Sequence, residues 1–232
     1  MNKPVEPEAV QAPYRFWGRH PLWYKASCLL TFLGKESQLR KRAIERLHLG
    51  GGDVVLDLAC GTGLNFPYLE GCVGRTGRII GFDYSPQMLS AAREKAKRNN
   101  WQNIKLLRGD AAELSLECQV DGVLSTLGIS AIPHHEQALE RAVAVLKDNR
   151  NISLLDAALP SGVGGAFNPL LAWIYNRGAC WDYTKDIPAD LERILGRVER
   201  ETYNGNTIYI VSGTKGGDRK RRLRSPLDPK GF

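Results

Sequence analysis

The sequence predicts a single α/β domain built on a doubly wound, mostly parallel sheet with helices on both faces. Short apolar runs alternate with segments of helical period along most of the 232 residues, which is the pattern of parallel strands joined by crossover helices. At the end of this pattern, two alternating segments over 197–203 and 207–214 flank Asn204-Gly205-Asn206. Asn-Gly between alternating strands is a strong hairpin signal, so the sheet should end in an antiparallel C-terminal hairpin.

Before the sheet, the sequence predicts a flexible, proline-containing arm over 1–13 and a helical cover formed by helices over 21–33 and 37–47. The second helix has an apolar face, and its basic residues are expected to lie mostly away from that face: Arg40, Lys41, Arg42 and Arg46. An aromatic cluster near the start either completes a small core or shapes an apolar substrate pocket. Tyr14 and Tyr24 are pocket candidates because each carries a polar tip on an apolar ring.

The first strand is predicted over Val54–Leu58 and passes directly into a glycine turn. Its continuous apolar character is typical of a strand buried on both faces. Gly61 and Gly63 lack a Cβ, so they permit unusual backbone angles and let a ligand approach the main chain closely. The helix after the turn is predicted over 64–69. Taken alone, this pattern fits any strand and helix pair of a doubly wound protein.

Two further predicted strands also lead into acidic residues. The second strand, over 78–82, ends at Asp83, and the third, over 104–107, is followed by Asp110. Together with Asp57 in the first strand, they place carboxylates at three successive strand ends. An acid in the position of Asp83 can accept hydrogen bonds from ribose hydroxyls. The pattern therefore indicates a nucleotide-type site at this edge of the sheet.

At these residues the chain resembles the class I S-adenosylmethionine-dependent methyltransferases. Residues 56–63, which read Leu-Asp-Leu-Ala-Cys-Gly-Thr-Gly, match the first motif of that family, and the later motifs follow in the family's order over about residues 43–212. The resemblance implies a Rossmann-like, seven-stranded methyltransferase sheet. A nicotinamide-binding fold fits less well, because the turn lacks the third glycine of G-x-G-x-x-G.

The resemblance also implies S-adenosylmethionine as the cofactor and assigns residues to its parts. Asp57 and the glycine turn would surround the amino acid portion, and Asp83 would accept the ribose hydroxyls. Tyr84 and Met88 would flank the adenine, whose edge would meet the end of the third strand. The full predicted cofactor-binding set is Asp57, Ala59, Gly61, Gly63, Asp83, Tyr84, Met88, Asp110, Ala111 and Thr126.

The later elements continue the same alternation. Serine at the cap and proline at the first position favour a helix from Ser85 to about 99, and an amphipathic helix follows His135. The remaining predicted elements are strands over 120–125 and 152–156 and a helix over 188–195. Before the fifth strand the family usually has a Pro-Gly-Gly turn. Here a turn is expected over 147–151, because Asn and Asp tolerate turn conformations.

The methyltransferase domain is expected to span 14–214. Within it, the segment 157–187 is unusually rich in glycine and aromatic residues. In this architecture such an insertion commonly covers the substrate side, and packing in the core is the alternative interpretation.

The wider resemblance is to quinone C-methyltransferases and soluble phosphatidylethanolamine N-methyltransferases. It implies a small amphipathic or lipid-like acceptor, either a phospholipid amine or a quinol. A base would help the methylation of a quinol ring carbon, and His20, His134 and His135 are the candidates for it. An amine acceptor needs only to lose a proton before it attacks the methyl group. The alternatives are an RNA or protein methyltransferase that uses the basic tail, and a protein that binds S-adenosylmethionine without catalysis.

The net charge of +7 is concentrated in a predicted flexible tail over 215–232, which carries seven Lys or Arg and two Asp. Its basic run, 219–224, can contact an anionic membrane surface or RNA phosphates, or can simply solubilise the terminus. No apolar run reaches the roughly 18 residues of a membrane span, and the N-terminus is unlike a secretory signal. We therefore expect a cytoplasmic protein, peripheral at the inner membrane surface.

Five cysteines without C-x-x-C spacing indicate neither a disulfide framework nor a metal site.

Overall fold

The computed structural model describes residues 34–159, 182 and 184–216. Numbered in chain order within these residues, the helices are α1 (Glu36–Glu45), α2 (Phe66–Val73), α3 (Pro86–Arg98), α4 (His135–Val145) and α5 (Ile187–Leu195). The strands are β1 (Val54–Leu58), β2 (Arg78–Asp83), β3 (Ile104–Arg108), β4 (Val120–Thr126), β5 (Leu146–Ala157), β6 (Glu199–Tyr203) and β7 (Ile208–Thr214). Short 3-10 helices, Ala111–Glu113 and Ile129–Ala131, follow β3 and β4.

The strands of the described residues form one sheet in the order β3-β2-β1-β4-β5-β7-β6. The pairs among β1 to β5 are parallel, and β7 runs antiparallel to both β5 and β6. The predicted seven-stranded, mostly parallel sheet with an antiparallel final pair is therefore confirmed. The strand order reverses between β1 and β4, and ligands of such sheets bind beyond the carboxyl ends of the strands at this switch point.

Hydrophobic cores lie on both faces of the sheet, because alternate residues of a strand point to opposite sides. Leu56, Val123 and Leu154 face α4 and α5 in one core. Val55 and Leu124 face α1, α2 and α3 in the other. Helices therefore cover both faces, as the sequence predicts.

The helix after the glycine turn begins later and extends further than the predicted 64–69. It starts at Phe66, with Pro67 in its first turn, and ends at Val73. The turn itself therefore continues through Asn65. The helix α3 begins as expected, because the Ser85 hydroxyl accepts a hydrogen bond from the Met88 amide at 3.3 Å.

The turn predicted over 147–151 is instead an irregular stretch of β5. The helix α4 ends at Val145 and β5 begins at the next residue, so no loop separates them. Along β4, Val120 pairs with Leu146 and Gly122 pairs with Asn151, so β5 has additional residues between these two pairs. Asn149 accommodates them with a φ of 60°, in the left-handed region that asparagine tolerates better than most residues.

Several predicted segments lie wholly or largely outside the described residues. They are the arm over 1–13, the helix over 21–33, most of the insertion over 157–187 and the basic run over 219–224. The domain boundaries therefore stay predictions. None of the helices described is long and apolar enough to cross a membrane.

The left-handed conformation of Asn149 gives a test of the β5 irregularity. We expect Asn149→Val to lower the free energy of unfolding by about 1–2 kcal/mol, because a β-branched residue clashes with its own backbone in this conformation. Asn149→Gly is the matched control and should change it by less than about 0.5 kcal/mol, since glycine adopts positive φ freely. Urea denaturation measures both. Equal stability of the two variants would contradict this backbone conformation.

Candidate functional site

The glycine turn after β1 is held in shape by positive φ angles. They are 55° at Ala59, 54° at Gly61 and 71° at Gly63. A Cβ at Gly63 would lie 2.4 Å from the Phe66 ring, so this position requires glycine. Apart from its two chain neighbours, no described residue lies within 4 Å of a Cβ built at Gly61. Within the described residues, the Gly61 backbone is therefore open, as expected where a ligand approaches the chain.

Asp83, at the end of β2, joins the glycine turn to the start of α3. One carboxylate oxygen accepts the Gly61 amide at 2.8 Å, and the other accepts the Ser85 amide at 2.9 Å. The side chain is buried, and this burial raises its pKa. The Tyr84 amide also interacts with this carboxylate, and at least one of the carboxylate's about four acceptor positions is left for a further hydrogen bond.

Asp57 is fully buried near the end of β1. Its Oδ1 accepts a hydrogen bond from Asn65 Nδ2 at 2.8 Å, whereas its Oδ2 has no partner among the described residues. Burial raises the pKa of Asp57 to about 7; the Asn65 bond and the charge of Arg40 oppose this rise, and the charge of Asp83 adds to it. The site therefore contains a carboxylate with one free oxygen and a pKa near neutrality.

Arg40 reaches this carboxylate network from α1. Its Nη1 donates to Asn65 Oδ1 at 2.9 Å and to Thr126 Oγ1 at the end of β4. Its Nη2 pairs with Glu36 at 2.8 Å. The expectation that the basic residues of this helix lie away from its apolar face is thus wrong for Arg40, which is buried.

Sequence reasoning missed Arg40 and Asn65. A signal for Arg40 was present, since it lies four residues before Ile44 and seven before Leu47, which is the spacing of one helix face. Asn65 carried no comparable signal, because a polar residue just before a helix is usual at any helix start. Thr126 was predicted to contact the cofactor, and the structure places its hydroxyl within the Arg40 network.

The remaining predicted cofactor residues lie at the ends of β2 and β3. Tyr84 follows Asp83 and is 39% exposed, while Met88 is partly buried in the first turn of α3. The Asp110 carboxylate is exposed and accepts the Ala112 amide at 2.9 Å. Ala111, beside it, is buried. The predicted residues thus follow the carboxyl edge of β1, β2 and β3.

A second polar cluster lies beyond β4, where residues 127–132 form what we call the post-β4 turn. The Ser130 amide and hydroxyl donate to the two oxygens of Asp156 at 3.0 and 2.8 Å. Asp156 ends the buried part of β5, and burial raises its pKa. Gly128 packs closely on the glycine turn, because a Cβ there would lie 2.5 Å from the Ala59 Cβ.

The candidate bases are only partly covered by the structure. His134 is exposed, and His135 Nε2 lies 2.9 Å from Asp190 on α5. Ligand atoms of His135, Glu136 and Asp190 lie within 4.8 Å of one another, but Arg193 pairs with both acids, at 2.9 and 3.6 Å. This cluster is therefore an ion-pair network between α4 and α5. The third candidate base, His20, and the pocket candidates Tyr14 and Tyr24 lie outside the described residues.

Comparison with known proteins assigns the chain to a family. Residues 55–149 match the family model described as a methyltransferase domain. The chain is 34% identical over 207 residues to the demethylmenaquinone methyltransferase of Lactobacillus johnsonii, in an alignment that covers 88% of this chain and 77% of the relative. The chain belongs to the class I S-adenosylmethionine-dependent methyltransferases.

Two further comparisons concern the fold and a second relative. The crystal structure of an S-adenosylmethionine-dependent methyltransferase from Aquifex aeolicus superposes with a TM-score of 0.61 at 21% identity, covering 76% of this chain and 89% of that one. This likeness shows the fold alone. The demethylmenaquinone methyltransferase of Oceanobacillus iheyensis is 32% identical over 126 residues, which span 54% of this chain and about half (53%) of that relative. The predicted family, enzyme class and cofactor, S-adenosylmethionine, are confirmed.

Proposed function

We propose that this methyltransferase transfers the methyl group to a ring carbon of a lipid-like quinol. The observation that carries the proposal is the alignment with the Lactobacillus protein, whose name states demethylmenaquinone as its substrate and which aligns along most of both chains. A phospholipid amine is the alternative acceptor within the same amphipathic class. The post-β4 turn, on the far side of the glycine turn from β2 and β3, is the proposed acceptor side.

The cofactor residues fit the parts of S-adenosylmethionine. The Oδ2 of Asp57, which has no partner among the described residues, is a buried anionic partner for the ammonium of the amino acid portion. Because no described residue beyond its chain neighbours lies within 4 Å of a Cβ built at Gly61, that portion can pass close to the backbone there. Asp83, which still has acceptor capacity, suits a ribose hydroxyl. We assign the adenine to the exposed face of Tyr84, with Met88 as the other flank.

When bound, S-adenosylmethionine would supply an electrophilic methyl group: the acceptor carbon would attack this methyl in line, the sulfur would leave as a neutral thioether, and the ring proton would pass to solvent water. The residues of this chain have the task of aligning the two reactants and excluding water, which can supply much of the rate. In this proposal, Asp57 with Asn65 and Arg40 fixes the side of the site that binds the cofactor, which we call the donor half. The post-β4 turn borders the side that binds the methyl acceptor, which we call the acceptor half. In this proposal, most of the catalysis comes from positioning.

The assignment of Asp57 predicts a pH dependence of cofactor binding. As the pH falls through about 7, Asp57 becomes neutral and loses its attraction for the ammonium, so Kd should rise by up to about tenfold per pH unit. Calorimetric titration between about pH 5.5 and 7.5 measures this change. Asp57→Asn should bind more weakly and without this pH dependence.

Two variants should move the midpoint of this titration in opposite directions. Arg40→Met should raise it, because the Arg40 charge lowers the pKa of Asp57, and Asp83→Asn should lower it, because the Asp83 charge raises that pKa. A wild-type Kd that is constant across this range, or two variants that shift the midpoint in the same direction, would contradict the assignment of Asp57.

The acceptor proposal is tested with methyl-labelled S-adenosylmethionine. We expect label in reduced demethylmenaquinone and none in phosphatidylethanolamine vesicles, total RNA or total protein, each incubated separately. Label in the phospholipid alone would replace the ring carbon by an amine. Label in RNA or protein alone would overturn a lipid-like acceptor altogether.

We also propose that residues 219–224 hold the enzyme at the cytoplasmic surface of a membrane, near a lipid-like acceptor. Each basic residue near an anionic surface contributes about 1 kcal/mol, so several together suffice for reversible association. Removal of residues 217–232 should reduce sedimentation with anionic liposomes by about tenfold or more, and neutral liposomes serve as the control. Unchanged sedimentation of the shortened protein would exclude this role.

A further inference from the structure

Lys185 lies in a polar enclosure beside the post-β4 turn. Only 8% of its side chain is exposed. Its Nζ donates to the carbonyl oxygens of Ser130 at 2.8 Å and Ile132 at 2.7 Å, and Asp182 lies 4.0 Å away. Burial lowers its pKa, while the charges of Asp182 and Asp156 oppose that change. A buried ammonium is costly unless its hydrogens are paired, so these contacts hold Lys185 in one place.

The amide, the hydroxyl and the carbonyl oxygen of Ser130 all form hydrogen bonds with residues from other segments. Its amide and hydroxyl donate to Asp156, and its carbonyl accepts from Lys185 and from the Asp182 amide at 3.3 Å. Asp156 directly precedes the segment 157–187, and Lys185 lies near its end. Both ends of that segment are therefore fastened to one residue of the post-β4 turn.

The post-β4 turn, held in this way, borders the donor half of the site, where the cofactor is proposed to bind. Gly128, two residues before Ser130, packs on Ala59 of the glycine turn with no room for a side chain. A shift of the post-β4 turn would therefore change the spacing between the glycine turn and whatever binds beyond β4. Misplacement of a reactant by about 1 Å can cost on the order of 100-fold in rate.

We propose that Lys185 and Asp156 are positioning residues for the methyl acceptor, which act by fixing Ser130 and with it the post-β4 turn. This inference rests on the proposed function in one respect, because it takes the post-β4 turn as the acceptor side. The ammonium of Lys185 does not itself bind the acceptor. Two of its three hydrogens are used by backbone carbonyls, and a carboxylate stands near the third.

Lys215 is a matched control for Lys185. Its Nζ donates to the carbonyl oxygens of Leu146 at 2.5 Å and Ala144 at 3.3 Å, and Asp148 lies 3.8 Å away. These are the same kinds of partner, but they lie at the end of α4 and the start of β5, at the opposite end of that strand from Asp156. Removing either ammonium should therefore disturb the fold similarly, while only Lys185 adjoins the site.

The kinetic test compares Lys185→Met with Lys215→Met. In the first variant we expect kcat/KM for reduced demethylmenaquinone to fall by about tenfold or more, chiefly through kcat because the acceptor is misplaced, while the Kd for S-adenosylmethionine stays within about twofold. In the second, both quantities should stay within about twofold. Lys185→Arg should recover part of the loss, because it restores a charged donor. Equal losses in the two Met variants, or parallel losses of acceptor and cofactor affinity, would overturn the proposal.

Hydrogen exchange separates this inference from the choice of acceptor. Amides of residues 127–132 should exchange faster in Lys185→Met than in Lys215→Met, whatever the acceptor is. If the wild type fails to methylate the quinol, the proposed function fails, and the exchange result still decides whether Lys185 holds the turn. If Lys185→Met does not fold, Ser130→Ala takes its place, since it removes one bond to Asp156. Unchanged exchange and unchanged kcat/KM in Ser130→Ala would then refute the positioning role.

Discussion

The arrangement of the site depends on one buried carboxylate, Asp57, in the central strand β1. Burying a charged group is costly unless neighbouring groups compensate for its lost hydration. Here the compensation comes from Asn65 at the end of the glycine turn and from Arg40 on α1, with Thr126 of β4 in the same network. Because all of these groups must meet at one point, α1, the glycine turn and β4 are tied together at the switch point of the sheet.

The strand order divides the site into two halves around this point. The ends of β1, β2 and β3 carry Asp57, Asp83 and Asp110 on one side, whereas β4 and β5 carry Ser130 and Asp156 on the other. The two halves touch where Gly128 packs on Ala59. A donor bound on the first side and an acceptor bound on the second would meet across this contact.

The first half could be predicted from the sequence, and most of the second could not. An apolar run followed by glycines and an acid is a local pattern, so Asp57, Gly61 and Asp83 can be recognised without knowing the fold. The roles of Arg40 and Lys185 arise only from residues far apart in the chain: Arg40 and Thr126 are 86 positions apart, and Lys185 and Ser130 are 55 apart. The irregular stretch of β5 was missed for the same reason, because it is defined by pairing with β4.

Each half of the site contains a similar cluster of charged side chains, but the two clusters serve different purposes. In each, a buried strand carboxylate lies close to a buried cation from a flanking segment, Arg40 for Asp57 and Lys185 for Asp156. Within the described residues, Asp57 keeps one oxygen without a partner, whereas Asp156 uses both, for the Ser130 amide, the Ser130 hydroxyl and the Ala157 amide. A buried oxygen without a partner can receive a ligand, whereas the three bonds of Asp156 within the protein suit it to holding the post-β4 turn in place. Similar chemistry thus favours binding at the donor half and positioning at the acceptor half.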